Sequence, residues 1–126
     1  MESIIKMEEE ILQKIGLSQA QSKIYLALLE IGSVKVGRII EKTGLQSSTV
    51  HNCINQLIEK GFISYTVIGK IKAYQATSPE IIRDYLKEQE KDFENILPNL
   101  KEKHKLAEHQ SKAEIFQGTQ GIMNIK

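Results

Sequence analysis

No stretch of this 126-residue chain approaches 18 consecutive apolar residues, so no segment reads as a membrane-spanning helix. The opening Met1-Glu2-Ser3-Ile4-Ile5-Lys6 lacks the basic region and long apolar core of a secretory signal. With Cys53 as the single cysteine, an internal disulfide is excluded, and a reducing, cytoplasmic setting is expected. Tryptophan is absent, aromatics make up 6%, and the two prolines are Pro79 and Pro98. Catalytic groupings are also missing. There is no Gly-rich phosphate loop and no nucleophile elbow. His104 and His109 are five apart, off the i, i+4 spacing that sets two ligands on one helical face. His51 and Cys53 point to different sides of a helix. An enzyme is therefore not expected, and neither a cofactor nor a metal is implied.

What is present is ordinary soluble composition, 40% hydrophobic and 26% charged. Net charge is +1, but it is unevenly spread. Residues 33–77 carry five Lys and one Arg against two Glu, while residues 1–32 sum to −2 and residues 78–126 to −1. A local basic excess is the electrostatic footprint expected of phosphate contact, although scattered surface lysine would give the same count.

The pattern along the chain predicts a helix over Ile4–Ile15, with Ile4, Met7, Ile11, Leu12 and Ile15 at helical spacing and Gly16 closing it. Ser18 and Gln21 form a capping box for a second helix. That helix turns Ile24, Tyr25, Leu28, Leu29 and Ile31 inward and ends at Gly32. Tyr25 reads as a buried aromatic body with its hydroxyl at the rim. A third helix is expected from Val34 to Lys42, then a tight turn at Gly44 with Leu45 plugging the corner. A fourth, Ser47–Lys60, carries Val50, Cys53, Ile54, Leu57 and Ile58 as one apolar stripe. Two strand-like runs follow, Phe62–Val67 and Ile71–Ala76, around Ile68-Gly69-Lys70. Phe62, Ile63, Tyr65 and Tyr74 are the expected anchors of this hairpin on the helices.

Helix, turn, helix and hairpin in that order predict a mainly α fold with a small β-hairpin, a winged helix-turn-helix over residues 1–78. In such folds the first turns of the second helix of the motif reach base edges. Here they offer Gln46, Ser47, Ser48, Thr49, His51, Asn52 and Asn55. Asn and Gln can pair bidentately with adenine, and Ser and Thr can donate or accept. Lys35, Lys70 and Lys72 are the expected phosphate contacts. The bland alternative is a polar face that simply meets water.

From Ser78-Pro79-Glu80 a long C-terminal helix is expected across residues 79–112. Ile82, Leu86, Gln89, Phe93, Ile96 and Leu100 step by alternating four and three, a heptad seam asking for a partner helix. The simplest partner is the same helix of a second copy; the other option is a helix folded back on its own domain. Pro98 predicts a kink near residues 95–97 and leaves open whether one helix or two result.

At this point the residues resemble a known family. Gly16-Leu17-Ser18, Lys23 through Gly32, Thr43-Gly44-Leu45, Ser48-Thr49-Val50, Leu57 through Ile63 and Tyr74-Gln75-Ala76 look like the DNA-binding domain of TrmB-like archaeal transcriptional regulators. The resemblance spans roughly residues 12–125. Similar wings occur in MarR-like and ArsR-like regulators. Residues 114–122 resemble the first strand and turn of the family's C-terminal effector domain, so residues 113–126 read as its beginning. The resemblance implies a homodimeric regulator whose partner is double-stranded DNA, with no membrane role. Many members bind a sugar or similar small molecule there; this chain stops at Lys126, where that domain would begin, so it reads either as a fragment or as a short member without ligand sensing, and no small-molecule effector is expected within it. The family often has arginine where Ser47 or Thr49 stands here, so arginine reading of guanine is not expected. A winged-helix module that docks on other proteins of the transcription machinery is the alternative.

Overall fold

The computed structural model describes residues 2–118 of the chain. Five helices and one hairpin follow in order: α1 Glu2–Lys14, α2 Gln19–Ile31, α3 Val36–Thr43, α4 Ser47–Lys60, β1 Ile63–Ile68, β2 Ile71–Ala76 and α5 Glu80–Gly118. Residues 1–86 form one compact unit, and residues from Lys87 on form a second.

Helix boundaries in the first unit follow local chemistry. The Ser18 hydroxyl accepts from the Gln21 backbone N–H at 3.0 Å, and the Ser18 N–H donates to Gln21 Oε1 at 2.9 Å, completing the expected capping box. Gly44 ends α3 with φ +73°, a left-handed conformation that a Cβ would strain, and this is what lets the chain reverse into α4. The α4 stripe packs as its spacing requires, with Val50, Cys53, Ile54 and Leu57 buried. These residues meet Leu17, Ile24, Tyr25, Leu28, Ile39, Phe62 and Ile63 in one core. Phe62 stands edge-on between Tyr25 and Tyr85, with ring centroids 6.4 and 5.2 Å away. The Tyr25 hydroxyl donates to the Thr77 carbonyl at 3.2 Å, the rim position its amphipathic ring predicts.

Several expectations are corrected. The third helix starts at Val36, not Val34, because Val34 is taken by the sheet. Its N–H and C=O exchange hydrogen bonds with Tyr74 at 2.9 and 2.7 Å, an antiparallel bridge that periodicity alone does not reveal. Leu29 and Tyr65 are exposed rather than anchoring. Tyr65 lies far enough along β1 that the ring leaves the core and packs on Tyr74 instead, at 5.9 Å. On α1 only Leu12 and Ile15 pack against the core, while Ile4, Met7 and Ile11 remain exposed.

Ile82 is buried in the core of the first unit, and Tyr85 packs beside it. The start of α5 is thus part of the winged domain, and the compact unit extends past residue 78. One helix, not two, spans Pro98. The strand expected from Glu114 is not formed, because α5 continues through Gly118. A strand there would need sheet partners, whereas Ser111 through Gln117 holds no Gly or Pro to stop a helix. The remainder of the effector-like stretch, residues 119–126, lies outside the described residues.

Candidate nucleic-acid interface

α4 is positioned by its buried stripe, which fixes the opposite face outward. Ser48, His51, Asn52 and Asn55 stand at i, i+3, i+4 and i+7 on that face and are all exposed. Gln46 and Ser47 are exposed at the start of the helix, and Thr49 is half-buried. Among the described residues, none of these seven side chains makes a hydrogen bond within the chain, so their donors and acceptors remain available. Gln46 is the N-cap in extended conformation, and its side chain makes no capping bond. The first backbone N–H groups of α4 are therefore uncapped and directed out of the helix start, where the macrodipole favours an anion.

One turn further along, Gln56 is tied back to the fold. Gln21 Nε2 donates to Gln56 Oε1 at 2.6 Å. The same Gln21 amide closes the α2 capping box through its oxygen, so this bond couples the start of α2 to the α4 face.

The lysines expected at phosphates come together. Lys35, at the start of α3, and Lys70 and Lys72, in the wing, line one cleft between α3 and β2. The Val34–Tyr74 bridge holds its two walls together. Arg38 lines the same cleft and was missed by the sequence reading. The available signal was its place one helical turn after Lys35. Arg38 is 3.3 Å from Glu41, an exposed pair that holds it only weakly. Lys72 Nζ stands 4.6 Å over the Tyr65 ring, which orients it at the surface. Gly69 supplies the positive φ of the wing turn, at +67°.

Burial raises the Cys53 thiol above its ordinary value, only partly offset by a hydrogen bond with Ser18, so it is a protonated core residue at neutral pH. Burial likewise raises Tyr25. Among the described residues no cluster of His, Cys, Asp or Glu could hold a metal ion, and no helix is long and apolar enough to cross a membrane.

Of the expected seam residues, Ile82 is withdrawn into the domain core and cannot serve a partner helix. Leu86, Phe93, Ile96 and Leu100 are 37–49% exposed, and Gln89 is exposed with them.

The family model described as "Sugar-specific transcriptional regulator TrmB" matches residues 12–80. The HTH-type sugar sensing transcriptional regulator TrmBL1 of Pyrococcus furiosus is 33% identical over 85 residues, which are 65% of this chain and 25% of that protein. The chain thus spans about a quarter of that relative's length. Among solved structures, TrmBL2, an archaeal chromatin protein described as showing a novel mode of DNA binding, superposes with a TM-score of 0.71 at 16% identity. That match covers 94% of this chain and 46% of TrmBL2. A transcriptional regulator of Thermotoga maritima gives a TM-score of 0.53 at 19% identity, covering 95% of this chain and 90% of that one. At such identities the structural matches show the fold, and they agree on a winged helix-turn-helix.

Proposed function

The chain belongs to the TrmB family of transcriptional regulators, and from that premise we propose that it binds duplex DNA sequence-specifically as a homodimer. α4 enters the major groove, and the cleft between α3 and the wing holds the phosphate backbone. The observation that carries this reading is the pairing of two surfaces on one domain. One is an α4 face with unbonded Ser, His and Asn side chains. The other is a cleft between α3 and the wing, lined by Lys35, Arg38, Lys70 and Lys72. Sequence reading needs the first and phosphate positioning needs the second.

Base readout falls to Ser48, His51, Asn52 and Asn55, with Gln46, Ser47 and Thr49 at the helix start. With no arginine in these turns, Asn52 and Asn55 provide bidentate contacts suited to adenine. Lys35, Lys70 and Lys72 contact phosphates. The exposed Leu86, Gln89, Phe93, Ile96 and Leu100 pair with their counterparts in a second copy. A two-fold pair calls for a palindromic or pseudo-palindromic site with half-sites roughly 34 Å apart. No sugar site is proposed within these residues.

The test compares Asn52→Ala with Lys70→Ala on a panel of duplexes. Asn52→Ala should change the order of preference, at about 1–3 kcal/mol for the affected base pair. Lys70→Ala should weaken all duplexes alike. Equal wild-type binding to every duplex refutes specificity. No salt-dependent binding at all points instead to a winged helix that docks on protein.

A further inference from the structure

Charge is divided unevenly along α5. Residues 84–94 carry Asp84, Glu88, Glu90, Asp92 and Glu94 against Lys87 and Lys91, a net −3. The next stretch of equal length, residues 95–105, carries Lys101, Lys103 and Lys105 against Glu102, a net +2, with His104 among them. All of these side chains are exposed. Among the described residues, none of the charged ones is paired within its own chain. The sign changes in the middle of the exposed apolar seam. Leu86 and Phe93 lie on the acidic side, Ile96 and Leu100 on the basic side.

Two such helices can meet on this seam in either direction, and the charges beside a seam decide which. A parallel pair sets −3 against −3 and +2 against +2, with Lys103 beside Lys103. Axes about 10 Å apart leave these charges within reach of one another at moderate salt. An antiparallel pair with Phe93 of one copy against Ile96 of the other sets residue 84 opposite 105 and residue 94 opposite 95. Each acidic half then lies along a basic half, and the Lys103 stem covers Leu86. Gln89 beside Gln89, the contact a parallel pair gains, is one neutral polar layer against like-charge repulsion along both halves. We propose that the occupant of this face is α5 of a second copy, packed antiparallel. This rests on the homodimer proposed above and gives it a direction. Ile82, fixed in the domain core of each copy, then stands about 38 Å from its counterpart along the pair, at 1.5 Å per residue. That is close to the roughly 34 Å between half-sites one helical turn apart; a parallel pair would bring the two to about 10 Å.

The test places one nitroxide label on the full chain at Lys87→Cys, Glu94→Cys or Lys105→Cys, all exposed positions off the seam. Cys53 is buried, and labelling of the wild type checks that it stays unreacted. Pulsed electron paramagnetic resonance then reads the separation between the two copies. The antiparallel pair should give backbone separations of roughly 10 Å at residue 94, 25 Å at residue 87 and 33 Å at residue 105. One short separation at all three positions means a parallel pair and overturns the proposal, while the homodimer stands. Sedimentation of the wild type adds a second readout. Raising salt from about 50 to about 500 mM should weaken the dimer roughly threefold, because opposite charges face each other. A dimer unchanged or strengthened by salt overturns the proposal. A wild type that sediments as a monomer removes the homodimer itself and leaves the seam to a different protein or to its own domain.

Discussion

Replacing Lys35, Lys70 and Lys72 together with alanine removes three of the four cations lining the cleft between α3 and the wing. Arg38 remains, already paired with Glu41 at 3.3 Å. If each lysine neutralises one phosphate, the slope of log affinity against log salt becomes shallower by ~2.7 for each bound domain, at about 0.9 per contact on B-DNA. The advantage of wild type over the variant should then shrink roughly 40-fold as salt rises from about 50 to about 200 mM. If both domains of a dimer engage, the slope change doubles to ~5.4. The fold should survive, because all three side chains are exposed. Among the described residues, the local interaction lost is Lys72 over Tyr65, worth ~0.5–1 kcal/mol. Fluorescence anisotropy of a labelled duplex at four or more salt concentrations measures the slopes, and thermal melting confirms folding. Parallel lines for wild type and variant would refute the assignment of these lysines to phosphates, however much the overall affinity changed.

Ile82 and Phe93 share the same heptad pattern but should respond differently. Ile82→Ala should cost the winged domain about 2–5 kcal/mol in denaturant unfolding, because it opens the core. Phe93→Asp with Leu100→Asp should leave domain stability unchanged and convert a dimer to a monomer by sedimentation; a persistent dimer would move the interface elsewhere, with the exposed face of α1 the first alternative. Phe62→Ala should cost about 3–5 kcal/mol, since its ring joins Tyr25 to Tyr85. Stability should also depend on pH in one direction. Cys53 and Tyr25 are raised above their ordinary values of 9.0 and 10.0, so the folded form holds these protons more tightly than the unfolded chain. Their contribution is complete below about pH 8 and falls as pH rises through 9 and beyond. Melting temperatures that stay flat to pH 11 would contradict that burial.

Much of the fold was legible because local rules and packing agreed. Ser18 with Gln21 marked the start of α2, Gly44 the reversal between α3 and α4, and the Val50–Leu57 stripe the buried side of α4, and each is fulfilled by the chemistry that predicted it. What was not legible depends on contacts distant in sequence. Val34 reads as the first residue of a helix until Tyr74, forty positions later, claims its backbone. Ile82 fits a seam as well as a core, and only the position of Phe62 and Tyr85 decides between them. The polar face of α4 followed from the stripe opposite it. The convergence of Lys35, Arg38, Lys70 and Lys72 on one cleft did not, because it requires the hairpin to return alongside α3. Ile68 reads as part of the turn with Gly69 and Lys70, whereas β1 runs on through it and the register pairs it with Ile71.

Selection of bound duplexes from a random pool by the full chain tests sequence-specific reading by α4 most directly. Wild type should enrich a motif with two-fold symmetry and half-sites about one helical turn apart, and Asn52→Ala should change specific positions within it. A pool that remains unenriched after repeated rounds, or a motif that is identical for wild type and Asn52→Ala, would contradict it.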